Sequence, residues 1–294
     1  MRKSLILAGI AFQALLAGGG TASALPIPSS GLSLWLNADT GTTVVGGGDQ
    51  HVTAWTDQAN AGLDGIDNSA SQGSAGARPT LVQNVFLGGH AALRFDGSAS
   101  YMTFSDSGFS TGSGAAFTMI AYVNVAAYGA SNNRPSIFGY GNDGGFNNAF
   151  MSISNGLGDP VQHVLEYRNN GGPDVYSNTV APLSTAESFV LTRSGSSVAF
   201  YLNGSAIGTG TDSNGHPATG FGRIGEFELS QGEPAYLNGD VGQILYYNRV
   251  LSGAEIAQVQ TYFTQTYAVP EPASLALAGL ATALAGARGR RRRG

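Results

Sequence analysis

The sequence predicts an all-β domain built as a sandwich of two antiparallel sheets. Glycine is very frequent, at 44 of 294 residues, while 42% of residues are hydrophobic and only 11% are charged. This composition suits many short strands joined by tight turns. Residues 32–36 and 51–55 alternate apolar and polar side chains with the period of a half-buried strand. Gly, Asn, Asp and Pro clusters separate such segments, which is typical of a β-sandwich.

Further apolar, aromatic-rich runs of strand length strengthen this prediction. They cover residues 117–125, 136–140, 161–167 and 189–192. The clearest local element is the hairpin around Asn203-Gly204. Both residues tolerate the positive φ that a two-residue turn requires, so two strands should meet here.

One helix is predicted in the body of the chain, over residues 252–265. Ser252 and Glu255 fit a capping box, in which each side chain bonds the backbone N–H of the other residue. Apolar residues then follow at helical spacing, ending with Phe263. We expect this helix to pack on the edge of the sandwich after the last strand.

The distribution of charge excludes one class of partner. The formal net charge is −5, but residues 25–268 hold seven Arg, no Lys and 18 acidic residues. A body with this acidic excess lacks the cations that displace counterions from phosphates, so nucleic acid is excluded as a partner. The chain has no cysteine, which excludes disulfides and thiolate metal sites.

The N-terminal segment has the pattern of a secretory signal peptide. Arg2 and Lys3 precede an apolar run, and Ala22 and Ala24 form a small-x-small cleavage site. We therefore predict a signal peptide over residues 1–24. A buried core helix is the alternative interpretation of this segment.

The C-terminal segment has three parts in a fixed order. A Pro-rich motif precedes an apolar run over 275–287 and an Arg-rich end over 288–293. The motif residues are Val269, Pro270, Glu271, Pro272, Ala273 and Ser274. The run is shorter than the ~20 residues of a usual membrane span, and the Arg cluster should stay on the cytoplasmic side.

This order resembles the PEP-CTERM protein-sorting signal, which covers residues 269–294 here. The resemblance implies a short transmembrane helix, transient anchoring in the inner membrane and processing by an exosortase-type enzyme. It also implies export, with a final place at the cell surface or in the extracellular matrix. A plain tail anchor is the alternative.

The body, residues 25–268, resembles the laminin G-like, concanavalin A-like domains. The resemblance lies in the order of several pieces over most of residues 31–267. These pieces are Leu34-Trp35-Leu36-Asn37-Ala38-Asp39, Val52-Thr53-Ala54-Trp55-Thr56-Asp57, Leu93-Arg94-Phe95-Asp96-Gly97, Tyr201-Leu202-Asn203-Gly204, and residues 239–249 with Leu251, Ser252 and Glu255. It implies a jelly-roll of two antiparallel sheets, each of six or seven strands, in a binding or adhesion module.

Catalysis is not expected, although the same fold includes glycoside hydrolases. Hydrolysis needs two carboxylates, about 5–5.5 Å apart in retaining enzymes. Glu226 and Glu228 are the one pair of Glu residues spaced so that both side chains share a face of a strand. The related hydrolases have an Asp between their two Glu residues, and this sequence has none. We therefore expect Glu226 and Glu228 to face solvent on either side of a buried Phe227. A Gly-x-Ser-x-Gly match over 108–112 has no helix predicted after it, and a Gly-x-Gly-x-x-Gly match over 139–144 lies in no βαβ unit.

Calcium is the one cofactor that the resemblance suggests. Asp57, Asp96 and Asp240 lie in motif positions near turns, where carboxylates suit Ca²⁺, but turn stabilisation is the preferred interpretation. No two of the four His have metal-ligand spacing.

Trp35 and Trp55 are predicted in the core. Five tyrosines are candidates for sugar stacking: Tyr101, Tyr128, Tyr140, Tyr167 and Tyr176.

The resulting hypothesis is an exported, non-catalytic protein that binds polysaccharide, such as exopolysaccharide, or another surface component. The alternatives are a polysaccharide-active hydrolase of the same fold and a purely structural protein of a biofilm matrix.

Overall fold

The computed structural model describes residues 27–46, 50–59, 65–128, 134–141, 148–155, 160–169, 174–212, 217–218, 220–226 and 236–267. Within these ranges the chain forms seventeen strands and one α-helix. In chain order they are β1 (Leu32–Asn37), β2 (Thr42–Val45), β3 (His51–Trp55), β4 (Ala70–Ser71), β5 (Thr80–Phe86), β6 (His90–Asp96), β7 (Met102–Phe104), β8 (Ala116–Ala127), β9 (Ser136–Gly141), β10 (Asn148–Ile153), β11 (Val164–Arg168), β12 (Val175–Val180), β13 (Ala186–Ser194), β14 (Ser197–Leu202), β15 (Ser205–Thr211), β16 (Phe221–Ile224), β17 (Asn238–Tyr247) and α1 (Gly253–Tyr267).

The strands form two antiparallel sheets, as predicted. In the first sheet the order is β5–β6–β17–β8–β13–β14–β15, and β1 pairs with the C-terminal half of β17 beside β6. In the second sheet the order is β2–β3–β4–β7–β16–β9–β10–β11–β12. One bridge between His51 and Thr80 joins the sheets at an edge. Each sheet has more strands than the expected six or seven, because short segments such as β4 and β7 add to the second sheet.

The main core lies between the two sheets. Side chains at alternate positions of both sheets form one buried cluster, which includes Phe117 and Met119 from the first sheet and Phe138 and Met151 from the second. Trp55 is fully buried in this cluster, as the sequence predicted. Fully burying an apolar side chain of this size contributes roughly 1.5–3 kcal/mol.

The helix covers the outer face of the first sheet and not the edge of the sandwich, so the predicted position was wrong. Its apolar stripe, which includes Val259, Phe263 and Tyr267, forms a second buried cluster with Ile120 and Leu245 of central strands. A helix with such a stripe buries more apolar area on a sheet face than at an edge. The helix also extends to Tyr267, two residues beyond the prediction.

Both local predictions are confirmed. The Ser252 Oγ accepts from the Glu255 N–H at 3.3 Å, and the Glu255 carboxylate accepts from the Ser252 N–H at 2.8 Å, which is a capping box. Asn203 and Gly204 connect β14 and β15 with φ of 50° and 78°, the two positive angles of a type I′ turn.

The predicted signal peptide and its cleavage residues Ala22 and Ala24 lie outside the described residues. The same holds for the sorting motif and the apolar run that follows it. Across the described ranges, no helix combines the length and the apolar character that crossing a membrane requires.

Candidate functional site

The outer face of the second sheet carries polar side chains, whereas the outer face of the first sheet carries apolar ones. Alternation along its strands sends Met151, Leu165 and Ile224 into the core. Residues one position away, such as Glu166 and Arg223, therefore point to the opposite side. In the described part of the chain, no helix covers this face.

A row of polar side chains crosses the outer face at one level. Ser152 of β10 pairs with Ser136 of β9 on one side and with Glu166 of β11 on the other. Glu166 also pairs with Tyr176 of β12. The serines and Glu166 are fully shielded from solvent. Neither serine hydroxyl has a hydrogen-bond partner. Because a buried hydroxyl without a partner costs about 1–3 kcal/mol, these two groups do not stabilise the fold.

The next level of the same face combines two arginines with an aromatic ring. Arg223 of β16 pairs with Gly139 of β9, and Gly139 pairs on its other side with Phe150 of β10. Phe150 in turn pairs with Arg168 of β11. A Cβ on Gly139 would lie 2.4 Å from the Phe150 ring. Glycine is therefore required at this position, because the ring takes the space of a side chain.

A partly buried group of side chains, here called the Arg223 cluster, borders these rows. It consists of Tyr101, Phe221, Arg223, Glu226 and Tyr236. The Arg223 guanidinium lies 4.8 Å from the centre of the Tyr101 ring and 5.0 Å from that of the Phe221 ring, and it forms an ion pair with Glu226. Two cation–π contacts and one ion pair hold the guanidinium in place.

Burial and hydrogen bonding shift two pKa values in the Arg223 cluster. Burial raises the pKa of the Glu226 carboxyl, and the Arg223 charge and the hydrogen bond from Tyr236 offset this only in part. Burial, then the negative charge of Glu226, raises the pKa of Tyr236 to about 12. Tyr236 therefore stays protonated at neutral pH and donates to Glu226.

The expectation that Glu226 faces solvent was wrong. Its side chain is 5% exposed, because Arg223 attracts it onto the sheet. Glu228 and Phe227 lie outside the described residues. The backbone N–H of Gly225 donates to the carbonyl oxygen of Ile137. Glu226 therefore follows β16 next to Ser136 of β9, and its backbone lies three strands away from Glu166 of β11. With strands ~4.8 Å apart, these two backbone positions are about 14 Å apart.

The three aspartates proposed for calcium do not converge. Asp57 is buried and accepts from the backbone N–H groups of Trp35, Ala59 and Asn68. Asp240 lies within β17, away from a turn, and both of its oxygens accept from Arg94, at 2.7 and 3.0 Å. Among the residues that the structure describes, no group of three or more metal-ligating side chains occurs.

Asp96 closes the turn after β6. Its Oδ1 accepts from the backbone N–H groups of Ser98, Ala99 and Ser100 and from the Ser100 hydroxyl. Burial acts to raise the pKa of Asp96, but these hydrogen bonds outweigh it and hold the pKa well below its usual value. The carboxylate thus stabilises a turn, and the three residues do not fit one calcium site.

The two glycine-rich matches are structural. Ser110 lies in the loop between β7 and β8, and its Oγ accepts from the Ala116 N–H as that strand begins. No helix follows it, so it is not a nucleophile elbow. In the second match, Gly139-Tyr140-Gly141 belongs to β9, and the remainder lies outside the described residues.

The aromatic candidates divide between core and surface. Tyr140 and Tyr167 point into the core, and Tyr128 stacks on His163 at 3.9 Å. Tyr101 and Tyr176 are half-buried at the second sheet, and Tyr101 belongs to the Arg223 cluster.

The polar faces of β11 and β16 were missed at the sequence level. The signal available was the alternation Val164-Leu165-Glu166-Tyr167-Arg168, in which two charged residues share one face of a strand.

Trp35 is half-buried and donates from Nε1 to Gln243. Of the histidines, His90 contacts Asp39 at 2.6 Å, and His216 lies outside the described residues.

Comparisons with known proteins agree with this fold. Residues 96–257 match the family model of the concanavalin A-like lectin/glucanases superfamily, and residues 268–293 match the PEP-CTERM protein-sorting motif. No curated protein sequence matches the chain.

Two binding domains of toxins have a similar fold, and a sialidase matches with a lower TM-score. The binding domain of botulinum neurotoxin serotype G is 13% identical, with a TM-score of 0.53 over 79% of this chain and 51% of that one. The binding domain of Paraclostridial mosquitocidal protein 1 is 11% identical, with a TM-score of 0.53 over 79% and 52%. A sialidase of Trypanosoma rangeli is 17% identical, with a TM-score of 0.47 over 82% and 34%. This chain thus spans about half or less of each structure, and such identities indicate the fold alone. By its family match, the chain belongs to the concanavalin A-like lectin/glucanase superfamily, and it carries a PEP-CTERM protein-sorting motif.

Proposed function

We propose that this protein is exported and binds carbohydrate through the outer face of its second sheet, without cleaving it. Residues 1–24 serve as the signal peptide, 25–268 form the binding domain and 269–294 form the sorting tail. An exosortase-type enzyme processes the tail after transient anchoring in the inner membrane. The domain then acts at the cell surface or in the extracellular matrix, where exopolysaccharide is the proposed ligand.

The observation that carries the proposal is the Arg223 cluster, where aromatic rings, a guanidinium and a carboxylate meet on the outer face. A sugar hydroxyl both donates and accepts, so its site needs acceptors and donors together. The Tyr101 hydroxyl can act as a donor or an acceptor, and the Arg223 guanidinium carries five N–H donors. The rings of Tyr101 and Tyr236 supply half-exposed aromatic surface at the border, and a few polar groups among aromatic rings are typical of small-molecule sites.

The state of the two glutamates supports binding without hydrolysis. The Glu226 carboxylate is held by Arg223 and Tyr236. Glycoside hydrolysis requires two carboxylates that both reach the substrate, whereas Glu166 is fully shielded from solvent.

The test is a binding and turnover assay on the purified chain with the exopolysaccharide of its host. Arg223→Met removes the guanidinium but keeps most of the stem, and we expect affinity to fall about tenfold or more, as for the loss of a charged hydrogen-bonding group. Arg94→Met is the matched control, because Arg94 also pairs with a carboxylate, Asp240, but lies on the first sheet. The control should bind as the parent chain does.

Several outcomes would contradict the proposal. Equal losses in both variants would mean that the effect is not local to the second sheet. Released oligosaccharide would favour the hydrolase, and no binding by the parent chain would favour the structural matrix protein. Because Asp57, Asp96 and Asp240 are engaged by protein donors, we expect the same affinity with calcium and with a chelator.

A further inference from the structure

An apolar groove lies between α1 and the first sheet, where the described chain ends. It has a volume of about 390 Å³ and is lined by Leu87, Tyr122, Ala186, Asn203, Gln260, Phe263, Thr264 and Tyr267. Tyr267 is both a wall of the groove and the last residue of the helix. The sorting motif follows immediately, since its match begins at residue 268.

The end of the helix is firmly anchored on the sheet. The Tyr267 ring stacks on the Tyr122 ring with centres 3.9 Å apart and planes 1° apart, and it meets Phe86 edge-on at 5.3 Å. Its hydroxyl accepts from the Gln243 amide at 3.0 Å. Because this point is held by three contacts, the start of the tail has a defined place on the domain.

The rim of the groove exposes an apolar side chain. Leu87 is 65% exposed, more than any other large hydrophobic residue in the described ranges. A peptide in the groove would cover this leucine and remove its apolar surface from water, which is favourable.

The sequence of the tail suits such a groove. Pro270 and Pro272 fix their own φ, and each also biases the residue before it, Val269 or Glu271, towards extended or polyproline II backbone. Pro-rich segments of this kind bind aromatic-lined grooves, because little conformational entropy remains to be lost. Three residues of extended chain reach about 10 Å, so Val269 and Pro270 are within reach of the groove from Tyr267.

We propose that residues 268–272 bind in this groove, so that the Pro-Glu-Pro motif is held against the folded domain. The occupant is a segment of the chain itself, and the interaction depends on the folded state, because both sheet and helix form the walls. Docking then restricts access of a processing enzyme to the motif, and it does so irrespective of the ligand that the second sheet binds.

The absence of cysteine from the chain permits a clean cross-linking test on the full-length protein. In the double variant Leu87→Cys/Glu271→Cys, a disulfide should form about tenfold faster than in Thr261→Cys/Glu271→Cys, because docking raises the effective concentration of the two thiols. Thr261 is the matched control, since it is exposed on α1 about 9 Å from Tyr267 along the helix and within reach of the same tether, but it does not line the groove. Equal rates in the two double variants would overturn the proposal.

A second measurement guards against an effect of the Leu87 substitution itself. In the single variant Ala186→Cys, a thiol reagent should react several-fold more slowly than in the same variant carrying Pro270→Ser and Pro272→Ser, because the serines remove the restriction on the backbone. The same reactivity with and without the prolines would also contradict docking.

Discussion

The two sheets of the sandwich bury their inner faces against each other, but their outer faces differ. On the first sheet, α1 packs against apolar side chains such as Ile120, Val190 and Leu245. On the second sheet, Ser136, Ser152 and Glu166 occupy the equivalent outward positions and are shielded from solvent. The first outer face therefore adds apolar burial to the fold, whereas the second holds polar groups at the corresponding positions.

Buried polar groups occur on both outer faces. Under the helix, Gln243 is fully buried and fully engaged: its Oε1 accepts from Trp35 Nε1 and the Tyr262 hydroxyl, both at 3.1 Å, and its amide donates to Tyr267. The hydroxyls of Ser136 and Ser152 on the second sheet have no partner, but neither does the Tyr247 hydroxyl under the helix. The two faces therefore differ in the polarity of their side chains and not in hydrogen bonding alone.

The largest expected effect on stability comes from the engaged group. Gln243→Met should lower the free energy of unfolding by about 2 kcal/mol, because it leaves the Trp35 and tyrosine partners buried without their hydrogen bonds. Denaturant unfolding of the variant and the parent chain measures this difference. A change close to zero would mean that the network under the helix is not structural, and the comparison between the faces would fail.

A smaller effect concerns the start of the helix that covers the first sheet. The Arg249 side chain, then the Ser252 N–H, lowers the pKa of Glu255 from 4.5 to about 2. A lowered pKa means that the ionised carboxylate stabilises the fold above pH 4.5 and that this stability is lost as the pH falls towards 2. Since both side chains are about 30% exposed, we expect about 1 kcal/mol at most.

Glu255→Gln provides the measurement. Its melting temperature should lie below that of the parent chain at pH 7, and the two should approach each other at pH 3 and below. A constant difference across this range would show that the ionisation of Glu255 is not responsible. Thr261→Ala, an exposed change on the same helix, serves as the control and should leave the pH dependence as it is.

The smallest effect has the opposite sign and tests the second sheet. Ser152→Ala removes a shielded hydroxyl without a partner, so stability should stay the same or rise by up to ~1 kcal/mol. Carbohydrate binding should stay as in the parent chain, because Ser152 is shielded from solvent and the Arg223 cluster is the proposed site. A variant that unfolds more easily would show that Ser152 has a structural role, and the difference between the two faces would then be smaller than described.

The sequence predicted the elements that depend on near neighbours. The Asn203-Gly204 turn and the Ser252–Glu255 capping box follow from backbone angles and short-range hydrogen bonds, and the structure confirms both. The position of the helix was predicted wrongly, because its apolar stripe shows that it is buried but does not identify the surface that buries it.

The candidate site could be predicted only in part, for a related reason. Tyr101 was a candidate, but so were Tyr140 and Tyr167, which point into the core. Glu226 was expected in solvent, although Arg223 draws it onto the sheet. A tyrosine or glutamate in a strand can face either side, and a slip of one residue in register would reverse the assignment.

The sequence by itself determined the all-β sandwich, the Asn203-Gly204 turn, the capped helix and the PEP-CTERM motif, because periodicity, turn residues and motif order are local properties of the chain. Only the tertiary structure decided which outer face is covered and which carries polar groups. It also decided that Arg223 meets Tyr101 and Glu226, and that three aspartates in turn-like positions serve separate purposes. Such contacts join strands that are distant in the chain, and their pairing depends on the whole sandwich.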